Sequence, residues 1–238
     1  MANGKVCTGY SKPYVALYNS NNGEITYSDG MPLARGVSVS VSSENSDGVN
    51  FYADNVLAES AGGVFTGASI TMVVDGLKAE ARKLIMGLPE PESVEVGGNA
   101  VEVYDYDDRQ HIPNVGVGFI IRYMENGNTT YAPIVLTKCA FGVDGLDAQT
   151  QEESIDFQTA ELTAVVMRDD SANHRWRRIA ADQQTEAEAE EIIKALLMIE
   201  DSQSDNQNAG GDDNNDNPNN DDQNNGNPNN DDPNNDGA

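Results

Sequence analysis

The sequence predicts a mainly β protein with some helix, an α+β fold, followed by a disordered acidic tail. Several short segments alternate strictly between apolar and polar residues, as strands with one buried face do. Strong turn signals separate these segments. Beyond Ile199 the only apolar residues of the 238-residue chain are two alanines. We therefore expect one folded domain over 1–199 and a tail over 200–238 that buries too little apolar surface to fold.

The net charge of −26 limits the classes of partner. The tail contributes eleven acidic residues and no basic one, and the remainder, with 29 acids and 14 bases, is still strongly negative. Binding to the phosphates of nucleic acid requires a surface of Lys and Arg, so this composition excludes a nucleic-acid-binding protein of the usual kind. Such a chain repels DNA, which can serve a function where DNA must pass a protein without sticking to it.

The clearest strand signal lies over 36–42, where Val37, Val39 and Val41 alternate with serines. We also expect a hairpin over 13–27 with its turn at 21–23, because aromatic and β-branched residues flank an Asn-Asn-Gly turn.

Further strands are expected over 50–56 and 64–74. A helical stripe follows, formed by apolar residues spaced three and four apart from Leu77 to Leu88. Asp75 is the expected N-cap of this helix and Gly87 its expected end.

The second half of the chain predicts three more strands and a closing helix. Residues 89–113 read as a loop or a short hairpin, and strands over 115–123 and 131–141 flank an Asn-Gly turn. Residues 159–168 alternate again, and 175–180 form a possible short strand. Thr185 and Glu188 form a capping box at the start of the last helix.

No group of residues predicts catalysis, a cofactor or a metal centre, and we expect that the protein is not an enzyme. His111 and His174 lie outside any metal-ligand spacing. Cys7 and Cys139 are expected to be two buried or semi-buried thiols in a reducing compartment, and a disulfide between them is the alternative. Residues 1–12 lack the apolar core of a signal peptide. Two acidic segments are candidate calcium sites: aspartates cluster in 104–108, and 221–232 loosely follows the order of a calcium loop. A solvated loop is the expected interpretation of the first, and a chance match in an Asn/Asp-rich segment that of the second.

Two stretches resemble a known family. Phe-Tyr-Ala-Asp-Asn at 51–55 follows the Val/Ser strand; Val-Leu-Thr-Lys-Cys-Ala at 135–140 precedes Gln-Glu-Glu-Ser-Ile-Asp-Phe-Gln-Thr-Ala-Glu-Leu-Thr at 151–163. Together they resemble the major tail proteins, the tail tube subunits, of long non-contractile-tailed bacteriophages. The resemblance covers roughly 10–199; residues 89–113 and the Asn/Asp tail depart from the pattern.

The resemblance implies a β-sandwich closing toward a barrel, with a short helix at its side and a helix at the end of the domain. It implies that six subunits form a ring and that rings stack into a tube through which DNA passes into the host. The expected partners are other copies of the chain, the tape measure protein and DNA in the lumen, and the tail terminator and tip proteins, without a membrane. The expected location is the virion tail, with assembly in the host cytoplasm.

Two sets of residues are candidates for these contacts. The polar faces of two alternating segments are expected to line the lumen: Ser38, Ser40, Thr159, Glu161 and Thr163. The connection over 142–156 and the basic cluster around Trp176 are expected to contact neighbouring subunits through Asp144, Asp147, Glu152, Glu153, Arg175, Arg177 and Arg178. A different virion component (a tail terminator or head decoration protein) and a calcium-dependent surface binding module remain the alternatives.

Overall fold

The computed structural model describes residues 4–143, 145, 150 and 158–200. The chain divides into two units, 1–201 and 202–238, and the second lies outside the described residues. The predicted disordered tail therefore stays a prediction, as does most of the connection over 142–156.

The described part of the chain holds twelve strands and two helices, which confirms the mainly β class with helices. The first six strands are β1 (Val6–Asn21), β2 (Glu24–Pro32), β3 (Gly36–Asn45), β4 (Val49–Ala53), β5 (Val56–Ala61) and β6 (Phe65–Val74). Helix α1 (Ala79–Met86) follows, and then β7 (Glu92–Val96), β8 (Asn99–Val103), β9 (Val115–Glu125), β10 (Asn128–Phe141), β11 (Ala160–Met167), β12 (Arg177–Ile179) and helix α2 (Glu186–Leu196).

Eight strands form one antiparallel sheet in the order β2-β1-β9-β10-β11-β6-β3, and β12 pairs with β10. Gly36 at the start of the edge strand β3 lies against the ring of Tyr10 on β1, next to the other edge; a Cβ atom at Gly36 would be 2.2 Å from that ring. The sheet therefore curls. The pairs β4–β5 and β7–β8 form separate two-stranded ribbons.

Tight turns with positive φ set the hairpins. Asn22 and Gly23 have φ of 50° and 82°, and Asn126 and Gly127 have φ of 50° and 83°, the left-handed values of type I′ turns. Both predicted hairpins are confirmed. Residues 89–113, read as a loop or a short hairpin, contain the β7–β8 hairpin, which turns at Gly97-Gly98.

The strand predicted over 50–56 is present as β4 (Val49–Ala53), but its predicted end is wrong. The chain reverses at Asp54 and Asn55, which have φ of 51° and 63°, so that β4 and β5 pair with each other. Asp and Asn tolerate left-handed backbone better than other non-glycine residues, and two in succession make a turn that alternation of side chains conceals.

The main core lies on the concave face of the sheet. Alternate residues of β6, β9, β10 and β11 are buried there against Ala81, Ile85 and Met86 of α1. The end of α1 at Gly87, with φ of 61°, is confirmed. The predicted N-cap is wrong: Lys78 occupies that position, while Asp75 accepts a hydrogen bond of 2.9 Å from the backbone N–H of Arg35.

Helix α2 covers part of the opposite face. Its buried Ala189 and Ile193, together with Leu197 just beyond the helix, pack against Ala16, Ile120 and Val135 of β1, β9 and β10. The predicted capping box is confirmed, since the Thr185 side chain accepts from the Glu188 N–H and the Glu188 carboxylate accepts from the Thr185 N–H. Strands β11, β6 and β3 carry no helix on this face.

Candidate assembly and lumen surfaces

The uncovered part of the sheet presents a surface of small hydroxyl side chains. In the antiparallel register, Thr71 on β6 pairs with Ser40 on β3 and with Thr163 on β11. Val73 likewise lies between Ser38 and Glu161.

A third row completes this surface, with Ser69 between Ser42 and Val165. We call these three rows the hydroxyl face. Paired residues project to the same side of a sheet, so the rows form one continuous surface. The three rows contain nine residues, of which six carry hydroxyls and one, Glu161, is charged.

Four of the five predicted lumen residues thus lie together. Ser38, Ser40, Glu161 and Thr163 are all exposed on the hydroxyl face, because their neighbours Leu162 and Ala164 and the rest of the alternate set point into the core. Thr159 is exposed but precedes β11 and pairs with no strand. Val37, expected to be buried with Val39 and Val41, is 55% exposed, because the β3–β6 register shifts between Gly36 and Ser38.

The β4–β5 ribbon, residues 49–61, is an apolar arm. It continues the β3–β6 hairpin through a hydrogen bond of 2.8 Å from the Ser46 N–H to the Val64 carbonyl oxygen. Every residue of β4 and β5 is exposed. Large apolar side chains lie on both faces of the arm, with Phe51 61% and Tyr52 61% exposed. The arm has two acidic residues, Asp54 and Glu59, and no basic one.

A stack of arginine and aromatic side chains lies near the base of the arm. The rings of Phe65 and Trp176 are parallel to within 11° with centroids 4.5 Å apart. The guanidinium carbon of Arg177 lies 4.5 Å from the Trp176 centroid, and that of Arg168 lies 5.6 Å from the Phe65 centroid. Arg168 also donates from Nη2 to the Phe65 carbonyl oxygen at 2.7 Å. We call these four residues the arginine stack.

The three predicted contact arginines have different surroundings. Arg175 is paired within the chain, since its Nε lies 3.3 Å from the buried carboxylate of Asp169. Arg177 and Arg178 are successive residues of the short strand β12 and so lie on its opposite faces. No ion pair among the described residues involves either of them. The acidic members of the predicted contact set, Asp144, Asp147, Glu152 and Glu153, lie outside the described residues.

An acidic cleft of about 700 Å³ lies between α1, the β1–β2 edge and the β7–β8 hairpin. Four carboxylates line it, of which Glu90 pairs with Lys83 at 2.6 Å. The remaining ones, Asp29, Glu80 and Glu102, take part in no ion pair among the described residues.

The cleft also has an apolar wall formed by Leu84, Leu88 and Tyr104. Desolvation and then the Glu102 carboxylate raise the pKa of the Tyr104 phenol, whose hydroxyl donates to that carboxylate at 3.3 Å. No spacing in the sequence indicates this cleft, because its lining comes from five separate segments.

In the acidic segment 104–108, the carboxylate of Asp107 is paired within the chain. Asp107 accepts from the Arg109 backbone N–H and from its Nε, each at 2.8 Å, and this contact lowers the pKa of Asp107. Among the described residues, no group of three or more His, Cys, Asp or Glu side chains is placed to hold a metal ion. Both cysteines are free thiols. Cys139 is buried as expected, whereas the expectation for Cys7 is wrong, because Cys7 is exposed near the start of β1.

No protein-family model matches the chain, and no curated protein is similar to it in sequence. Neither described helix is long and apolar enough to cross a membrane. A function is therefore proposed from the surfaces described above and from the resemblance of the sequence stretches at 51–55, 135–140 and 151–163.

Proposed function

We propose that this chain is a self-assembling structural protein of a phage virion, a major tail protein whose six-subunit rings stack into the tail tube. The observation that carries the proposal is the apolar arm. Soluble monomers rarely expose a contiguous patch of large apolar side chains, and such patches mark interaction sites. In this proposal the arm contacts a neighbouring copy in the tube.

The hydroxyl face supports the second half of the proposal, passage of DNA. Serine and threonine make a hydrated surface without long side chains, and the three rows contain no cation that would grip phosphates. The net charge of −26 also repels the phosphates of DNA. In the proposed tube this face lines the lumen, and DNA and the tape measure protein occupy it without sequence-specific contact.

The remaining features of the tail-tube type belong to the same proposal: a β-sandwich closing toward a barrel, capping by a terminator protein at one end of the tube and contact with tip proteins at the other. Location in the virion tail follows from this role. The curled sheet with a helix on each face is compatible with this architecture.

Negative-stain electron microscopy of the purified chain over a concentration series tests the proposal. We expect rings with a central hole or tubes for the natural sequence. Replacing Phe51 and Leu57 of the arm by Ser is expected to abolish them while the thermal unfolding temperature stays unchanged, since both side chains are exposed. Replacing Val6 and Met124 by Ser is the matched control and should leave assembly intact, because these two exposed apolar residues pair between β1 and β9 outside the arm.

Two outcomes would overturn the proposal. A natural chain that remains monomeric at every concentration would exclude a tube subunit. Assembly that survives the arm substitutions but fails in the control variant would show that the arm is not the contact between copies.

A further inference from the structure

The arginine stack carries positive charge that the described part of its own subunit leaves unpaired. Arg168 and Arg177 are exposed, and neither has a carboxylate partner among the described residues. Parallel rings with guanidinium groups on them hold these long side chains in place, so little side-chain entropy remains to be lost on binding. Arginine and tryptophan are also the residues most enriched where interfaces concentrate their binding energy.

The acidic cleft has the opposite properties. Asp29, Glu80 and Glu102 are carboxylates without cationic partners in the described residues, and they border an apolar wall. A guanidinium group forms paired hydrogen bonds with a carboxylate, and an aromatic ring requires an apolar surface. A ligand that satisfies both parts of the cleft must combine cations with aromatic or aliphatic groups. The arginine stack presents two exposed guanidinium groups beside the half-buried rings of Phe65 and Trp176.

We propose that the arginine stack of one copy docks in the acidic cleft of a second copy. The occupant is assigned from charge complementarity: the chain has 14 basic residues against 40 acidic ones, and the arginine stack is an exposed basic surface on an otherwise acidic molecule. The inference rests on the proposed self-assembly and adds which surfaces meet.

Two different surfaces would meet in this contact, so the interface is heterologous. An interface of this kind repeats from copy to copy and generates either a closed ring or an open filament, whereas an interface between identical patches stops at a dimer. The arrangement is therefore suited to an assembly of more than two copies.

Charge reversal tests the pairing. One variant carries Arg168→Glu and Arg177→Glu, and another carries Glu80→Arg and Glu102→Arg. Each alone should require a concentration at least about tenfold higher to assemble, because like charges now face each other. The two variants mixed in equal amounts should assemble as the natural chain does, since every stack then meets a cleft of opposite sign. Sedimentation velocity and electron microscopy provide the readouts.

The signs of these changes separate the pairing from a general effect of charge. Glu80→Arg with Glu102→Arg reduces the net negative charge, which by itself favours association. Loss of assembly in this variant therefore requires a specific contact. Lys78→Glu changes the charge as Arg177→Glu does at an exposed site outside both surfaces, and it should leave assembly unchanged. Circular dichroism verifies that every variant is folded.

Three results would overturn the inference, and each differs from a failure of the proposed function. If the natural chain and both variants assemble equally well, the pairing alone is refuted. Defects in both variants without rescue on mixing would show that the surfaces do not meet each other. Binding of duplex DNA that Arg168→Glu with Arg177→Glu abolishes, at unchanged assembly, would assign the stack to a polyanion.

Discussion

Replacing Gly118 by alanine tests how α2 is seated on the sheet. A Cβ atom at Gly118 would lie 2.4 Å from Cγ2 of Ile193 and 3.1 Å from Cδ1 of Leu197. Cγ2 is bonded to the branched Cβ of Ile193, whose rotamer in a helix is nearly fixed. The contact therefore cannot be relieved by turning one side chain, and the helix must move away from β9.

The cost follows from the burial of this contact. Both Ile193 and Leu197 are fully buried, and overpacking of a filled core costs about 1–3 kcal/mol. For a domain of this size each kcal/mol lowers the unfolding temperature by about 2–4 °C. We expect Gly118→Ala to lower it by roughly 2–12 °C.

Thermal unfolding followed by circular dichroism measures the effect. Gly67→Ala on β6 is the control, because a Cβ atom there meets nothing within 4 Å. Ile193→Ala removes the clashing methyl group, so Gly118→Ala should cost at least about 1 kcal/mol less in that background. Equal costs in the two backgrounds would refute the proposed contact between Gly118 and Ile193.

Four further outcomes are expected. Thr185→Ala removes the side-chain cap of α2 and should cost about 1 kcal/mol in urea unfolding, and Thr185→Ser should restore most of it. Asp169→Ala should cost about 1–3 kcal/mol, because the buried carboxylate accepts from the Ser171 and Arg175 backbone N–H groups; a change within error would contradict that. Lys138 and Lys5 lower the pKa values of Asp170 and Asp182, so their stabilisation is complete above the ordinary aspartate value of 3.8 and is lost as the pH falls through the folded values. An unfolding midpoint that does not change with pH below 3.8 would oppose this. Replacing Ser40 and Thr71 by Arg should make assembled tubes retain duplex DNA at low salt, and unchanged DNA binding would remove this face from the lumen.

Local signals predicted much of the fold. Asn-Gly turns, the alternation along β11 and the Thr185–Glu188 capping box each depend on residues a few positions apart, and each is present in the structure. The reversal at 54–55 was missed because both strands of the arm are fully exposed. Neither strand therefore has the alternation of buried and exposed residues that would show where one strand ends and the next begins. Asp75 was assigned as a cap because its long-range partner, Arg35, cannot be recognised from neighbouring residues.

The candidate surfaces, too, could be predicted from the sequence only where they depend on neighbouring residues. Alternation alone identified Ser38, Ser40, Glu161 and Thr163 as polar-face residues, although only strand order shows that β6 joins them into one surface. The sequence also showed a basic cluster around Trp176. Its ring partner Phe65 lies more than a hundred positions away, and no spacing rule connects them.

The arm and the hydroxyl face have a mechanical connection. Both are built on the same pair of strands, since β3 continues into β4 and β5 continues into β6 with the Ser46–Val64 hydrogen bond between them. A load applied to the arm is therefore transmitted along covalent backbone and a ladder of hydrogen bonds to the strands that present Ser40 and Thr71. In the proposed tube, a displacement of the arm caused by bending between rings would also displace the strands of the hydroxyl face. Conversely, a stiff hydroxyl face would resist bending between rings.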